Sequence, residues 1–181
     1  HQPVQLAQRL QTVLREPMLV GGHELATSAS IGIRLIGDDV RTLLPGFAPI
    51  ADALTKPRVV AELPSRFGTA SVRVQRGELG TSGITAYVID APDFYRREGG
   101  PYADARQQPF GDNHLRFALL GWLGAQLAQG LDSQWRAQVV HAHDWHAGLA
   151  PAYLRAADQT HHVHHAGSVF TVHNLAYQGN F

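Results

Sequence analysis

Val139-Val140-His141-Ala142-His143-Asp144-Trp145-His146-Ala147-Gly148-Leu149-Ala150-Pro151-Ala152-Tyr153-Leu154, followed by Ser168-Val169-Phe170-Thr171-Val172-His173-Asn174, is the stretch that decides the fold. Residues 138–141 and 168–172 are short runs with strand character, and the segment from 146 to about 157 has helical spacing between them. Strand, helix, strand is a βαβ unit, which calls for two parallel strands and a crossover. Ligands of open α/β sheets bind beyond the carboxyl ends of the strands. Asp144, His143 and His146 leave the first strand there, and His173 and Asn174 leave the second. A carboxylate, imidazoles and an amide converging on one crevice suit a sugar, whose hydroxyls need paired donors and acceptors. A strand-end Asp can also be only a helix cap, and a His only a buried structural residue; spacing does not separate these readings.

A metal reading competes at the same place. His141 and His143 lie two apart and share one face of a strand, as zinc ligands would, with Asp144 and His146 to complete the set. The order His-x-His-Asp-x-His is one step from that of binuclear metallohydrolases. The helix begins at that step, so these side chains are expected to diverge and no metal is expected. The run His161-His162-Val163-His164-His165 reads as a solvated connection.

Working outward, Asp112 is placed to cap a helix over about 113–129. That helix is apolar nearly all round, with Leu115, Phe117, Leu119, Leu120, Trp122, Leu123 and Leu127, and so is expected to be buried on most sides. Residues 91–112 are rich in Pro, Gly, Asp and Arg and read as a long, functional loop. Strands are expected over 40–44, 57–63, 70–76 and 84–90, with a short helix over 48–55 between the first two. Nearer the start, residues 4–15 have amphipathic helical spacing that Pro17 ends. Met18-Leu19-Val20 and Glu24 to Ile36 then read as a hairpin across Gly21-Gly22.

Composition bounds the rest. The chain has 181 residues, 44% hydrophobic and 17% charged. At that size roughly 70% of the unfolded surface can be buried, enough for a real core. Fifteen basic residues cancel fifteen acidic ones, so charge gives no case for nucleic acid or an anionic membrane as partner. The absence of Cys excludes a disulfide framework, a thiolate zinc site and a Cys nucleophile. No apolar run reaches the ~20 residues of a membrane helix. The expected location is cytoplasmic. Histidine is the excess: eight of the eleven fall between His141 and His173.

Several blocks, in order, resemble bacterial glycogen synthase and plant starch synthase. They are Val40-Arg41 to Phe47, Tyr87-Val88-Ile89-Asp90-Ala91-Pro92, the Arg96 to Tyr102 loop, and Asp112-Asn113-His114-Leu115-Arg116-Phe117-Ala118-Leu119-Leu120-Gly121-Trp122, together with the two stretches quoted first. The likeness spans about 39–181. It implies an α/β, Rossmann-like N-terminal domain of a two-domain GT-B glycosyltransferase, incomplete in this chain. The implied reaction moves glucose from ADP-glucose to the non-reducing end of an α-1,4-glucan, with retention and without metal or other cofactor. In the family pattern His173 and Asn174 match donor-glucose contacts, and Asp144 matches a carboxylate beside the reacting centre. Tyr102, His146 and Tyr177 match the acceptor side, and His143 is carried over as a substrate-binding residue. The family's Lys-x-Gly-Gly phosphate loop has no counterpart in the sequence, so the chain alone is expected not to turn over.

Residues 5–36 are similar instead to the last helix and hairpin of a GGDEF, diguanylate cyclase-type domain, without its nucleotide-binding turn. This implies two units, 1–38 and 39–181, joined near Gly37-Asp38-Asp39-Val40. It leaves as alternatives a non-catalytic glucan-binding fragment and an inactive remnant of cyclic-di-GMP signalling. A foreign helix and hairpin would leave apolar surface exposed, so oligomers are expected.

Overall fold

The computed structural model describes residues 18–20, 23–25, 32–81, 83–161, 166–173, 175 and 179. The expected helix over 4–15, the Gly21-Gly22 turn, most of the His161–His165 run, Asn174 and Tyr177 lie outside the described residues.

A seven-stranded mixed sheet forms the centre. In chain order its strands are β3 (Ile33–Ile36), β4 (Val40–Pro45), β5 (Leu54–Arg66), β6 (Thr69–Leu79), β7 (Ile84–Asp90), β8 (Val139–His143) and β9 (Gly167–Thr171), and in space they run β5-β6-β7-β4-β3-β8-β9. A separate pair, β1 (Met18–Val20) and β2 (His23–Leu25), is antiparallel. The helices are α1 (Ala48–Ala53), α2 (Pro92–Tyr95), α3 (Asn113–Ala128), α4 (Asp144–Ala147) and α5 (Ala150–His161). Among the described residues no helix is long and apolar enough to cross a membrane.

The expected parallel pair is present: β8 and β9 run side by side with His143 opposite Thr171. β4 is parallel to β7, and β3 is antiparallel to both β4 and β8. So β7, β4, β8 and β9 all point one way, and their carboxyl ends (Asp90, Pro45, His143, Thr171) share one edge of the sheet. β3 runs against them in the middle.

That placement corrects one expectation about the first residues. Glu24 and Ile36 do not share a strand: they belong to different sheets. Ile33 and Leu35 are fully buried in the main core, while Arg34 and Ile36 alternate with them on the less buried side. Two glycines of α3 exist for close approach. A Cβ on Gly124 would meet Ile33 Cδ1 at 2.6 Å, and one on Gly121 would meet the Ala150 nitrogen at 3.0 Å. Helix α3 therefore lies directly on β3 and on the start of α5, with Leu119, Leu120, Leu123 and Leu127 fully buried beneath it.

Three further differences have local causes. The single helix expected from 146 is two, α4 and α5, broken at Gly148-Leu149. Pro151 lacks an N–H and its ring would clash with the carbonyl of Ala147, so it fits only a first turn. Asp112 occupies the N-cap position of α3 but makes no side-chain cap bond. Its carboxylate instead receives both arms of Arg97, at 2.8 and 2.7 Å, and this pairing holds its pKa below the usual range. The 91–112 loop is not featureless: it opens with α2 and closes on an Ala103–Pro109 bridge. At the far edge β9 is outermost, and Val169 and Phe170 are about half exposed.

Candidate active site

The site grows from the ends of β8 and β9. Strand alternation puts His141 and His143 on one face of β8, with ring centroids 4.1 Å apart. Each then engages the neighbouring strand. His141 Nε2 lies 2.7 Å from Thr171 Oγ1, and His143 Nδ1 lies 3.0 Å from His173 Nε2. One of the two facing imidazole nitrogens carries the shared proton. The His143 and His173 rings are nearly parallel, at 17°.

Between them the chain turns sharply. Asp144 has φ +53°, the left-handed region that few residues other than Gly enter. Asp tolerates it better than most because its short polar side chain bonds locally. Here the turn sends the carboxylate back across the strand ends, where Oδ1 accepts the His173 N–H at 2.6 Å. Asp144 is 6% exposed.

An aromatic wall stands beside this carboxylate. Tyr102 stacks on His146 with centroids 4.9 Å apart at 28°, and Phe117 meets both His146 and Trp145 edge-on at 4.9 Å. Burial, and next the charge of Asp144, push the Tyr102 hydroxyl up to about 12. It therefore stays protonated at neutral pH as a hydrogen-bond donor. Rings of this kind present flat apolar faces with polar tips, as a sugar face and its hydroxyls require.

The structure thus brings together Tyr102, His143, Asp144, His146 and His173. Sequence reasoning missed Phe117 and Trp145 as walls and Thr171 as the partner of His141. The metal set is not assembled: His141 turns to Thr171, His143 to His173, and His146 to Tyr102. Among the described residues no three His, Cys, Asp or Glu side chains are grouped to hold an ion.

His143 is 2% exposed, and among the described residues its Nε2 has no hydrogen-bond partner. Burial, then the neighbouring His141, His173 and Arg34, push it down to about 4. The unfolded chain takes up a proton near 6.5, which the folded site refuses until about 4. As pH falls through that window the unfolded state holds more protons, so stability falls with it. A loss of up to about 3 kcal/mol between pH 7 and 4 is expected from this group. Urea unfolding of wild type and His143→Gln at both pH values checks it: the variant should lose less stability on acidification. Equal losses would refute it.

A family model described as the starch synthase catalytic domain matches residues 24–181. The chain belongs to that family. Glycogen synthase of Variovorax paradoxus (strain S110) is 52% identical over 169 residues, covering 90% of this chain and 34% of the relative. Glycogen synthase of Leptothrix cholodnii is 51% identical over 170 residues, 91% of this chain and 35% of the relative. This starch synthase-family chain thus spans about a third of the length of the curated relatives it matches. The catalytic domain of starch synthase IV from Arabidopsis thaliana, solved bound to ADP and acarbose, aligns with a TM-score of 0.51 over 76% of this chain and 27% of that one. At 22% identity it shows the fold alone. The family match runs through the seam expected near 37–40. None of these matches supports the GGDEF resemblance of residues 5–36 or its cyclic-di-GMP alternative.

Proposed function

We propose that this chain supplies the acceptor-facing part of a glycogen (starch) synthase. The reaction is transfer of glucose from ADP-glucose to the non-reducing end of an α-1,4-glucan, with retention. The observation that carries this reading is the Asp144–His173 junction. A buried carboxylate is fixed by a backbone N–H where two parallel strands end, and an aromatic wall stands next to it. Asp144 would stabilise positive charge developing on the transferred sugar. His173, with Nε2 turned to His143, keeps Nδ1 for a donor hydroxyl. Tyr102 and His146 would hold the acceptor, and Asn174 and Tyr177 take the family's donor and acceptor places. The reading calls on no metal or cofactor.

Radiolabelled ADP-glucose and a glycogen primer test it. The full-length enzyme should incorporate label into a product that an α-1,4-specific glucosidase releases, with or without a chelator. The 181 residues alone should incorporate none above a blank. Failure of the full-length enzyme to label glycogen would sink the reading. Label from the short chain would overturn the division of labour.

A further inference from the structure

Arg116 is an anomaly in an otherwise apolar helix. It is 1% exposed, and among the described residues no carboxylate forms an ion pair with it. A buried charge without partners is costly, so its contacts should say why it is there. Nε donates to the Phe94 carbonyl at 2.8 Å, and Nη1 donates to the Pro101 carbonyl at 3.0 Å and to Asn113 Oδ1 at 2.5 Å. The guanidinium also lies 4.7 Å from the Phe110 ring centroid. Its two loop acceptors lie in the first half of 91–112 and the Phe110 ring near its end, so the guanidinium touches both halves of the loop. Burial lowers its pKa, yet arginine remains charged at any ordinary pH.

Asn113 passes this order on. With Oδ1 held by Arg116, its amide can face only one way, and Nδ2 donates to the Tyr102 carbonyl at 2.8 Å. The Phe110 N–H donates to the same carbonyl at 3.0 Å. The Tyr102 ring then rests on His146. Asn113 is 3% exposed, so no solvent replaces these bonds.

We propose that Arg116 and Asn113 are positioning residues of the acceptor site, a buried relay that sets Tyr102 against His146 and beside Asp144. The proposal rests on the acceptor reading of Tyr102 given above, but the geometry of the relay can be tested without any sugar.

Asn113→Asp separates positioning from folding. The aspartate keeps an oxygen for Arg116 and gives it a counter-ion, but it offers no N–H to the Tyr102 carbonyl. The thermal midpoint of the 181-residue chain should hold or rise. The Tyr102 ring resonances in NMR, identified by their loss in Tyr102→Phe, should move toward solvent-exposed positions as the ring leaves His146. Maltoheptaose affinity measured by calorimetry should fall about fivefold or more, the worth of one buried hydrogen bond. Arg116→Lys, which can reach only some of the three acceptors, should move the same resonances. Unmoved resonances in a folded Asn113→Asp chain would overturn the relay, and so would moved resonances with maltoheptaose affinity unchanged while Tyr102→Ala abolishes it. If Tyr102→Ala leaves maltoheptaose binding as in wild type, the acceptor reading fails, and the resonances alone decide whether the relay holds the ring.

Discussion

Asp144→Asn in the full-length enzyme is expected to lower kcat by roughly 10²–10³, the scale of removing one preorganised electrostatic contact at a reacting centre. Asparagine is the informative replacement because it changes so little else. It tolerates positive φ about as well as aspartate, so the turn at +53° survives. Its side-chain oxygen can still accept the His173 N–H that Asp144 holds at 2.6 Å. What disappears is the charge. Glucan and ADP-glucose KM should therefore move little, and the thermal midpoint should stay within a few degrees. Asp144→Ala loses the bond as well, and with it the short polar side chain that lets this residue hold a left-handed backbone, so it confounds charge with stability. An Asp144→Asn enzyme that kept more than a tenth of wild-type kcat would remove Asp144 from the chemistry and leave it as a strand-end brace.

The parts of this site that could be read from sequence were those whose partners are near in sequence or fixed by period. Two strand-like runs around a helix gave the parallel β8–β9 pair, and period two put His141 and His143 on one face. What those rings face is decided by β9 and the residues just after it, thirty residues on, so the sequence could not say that His141 would meet Thr171 and His143 would meet His173. The strand character of the run ending at Ile36 could not say that its last residues would lie antiparallel between β4 and β8, because strand character carries no information about partner or direction. The 91–112 loop looked irregular for a related reason. Its order comes from Arg116 and Asn113 binding backbone carbonyls 11 to 22 residues away, and a carbonyl has no residue signature. The arginine itself was visible as a polar residue in an apolar helix. The junction near 38 rests on resemblances to either side of it, which carry no information about packing; Ile33 and Leu35 share one core with residues that follow it.

The largest stability loss is expected from Asp132→Ala, toward the end of the sheet where β4 begins. Asp132 is 3% exposed in the connection from α3 to β8. Its carboxylate accepts from Arg76 Nη1 and from the Tyr87 hydroxyl, both at 2.8 Å, and from the Gln134 N–H at 2.9 Å. Arg41 donates in turn to the Tyr87 oxygen at 2.8 Å and lies 4.3 Å from the Trp135 ring centroid. One carboxylate therefore joins β4, β6 and β7 to the loop that launches β8. Burial by itself would raise its pKa, but the Gln134 N–H, the Tyr87 hydroxyl and Arg76 outweigh that and hold it below the usual range. Among the described residues, removing it leaves Arg76 with Gln134 alone, Arg41 with Asp39 as its one carboxylate, and the buried Tyr87 phenol without its acceptor. Breaking a buried pair costs about 3–5 kcal/mol, and because Arg76 and Arg41 keep some contact with water the lower end applies. In a chain of this size that is a fall in Tm of roughly 6–12 °C. The depressed pKa adds a pH signature. The stabilisation is fully present above the unfolded value near 4 and is lost as pH falls through the lower folded value, since the unfolded chain then binds the proton first. Wild type should lose this increment on strong acidification, and Asp132→Ala should have none to lose. Urea unfolding of both proteins at pH 7 and pH 3 measures the difference. A loss at neutral pH below about 1 kcal/mol, the worth of an exposed pair, would mean that the arginines find water and that the cluster does not tie the sheet together.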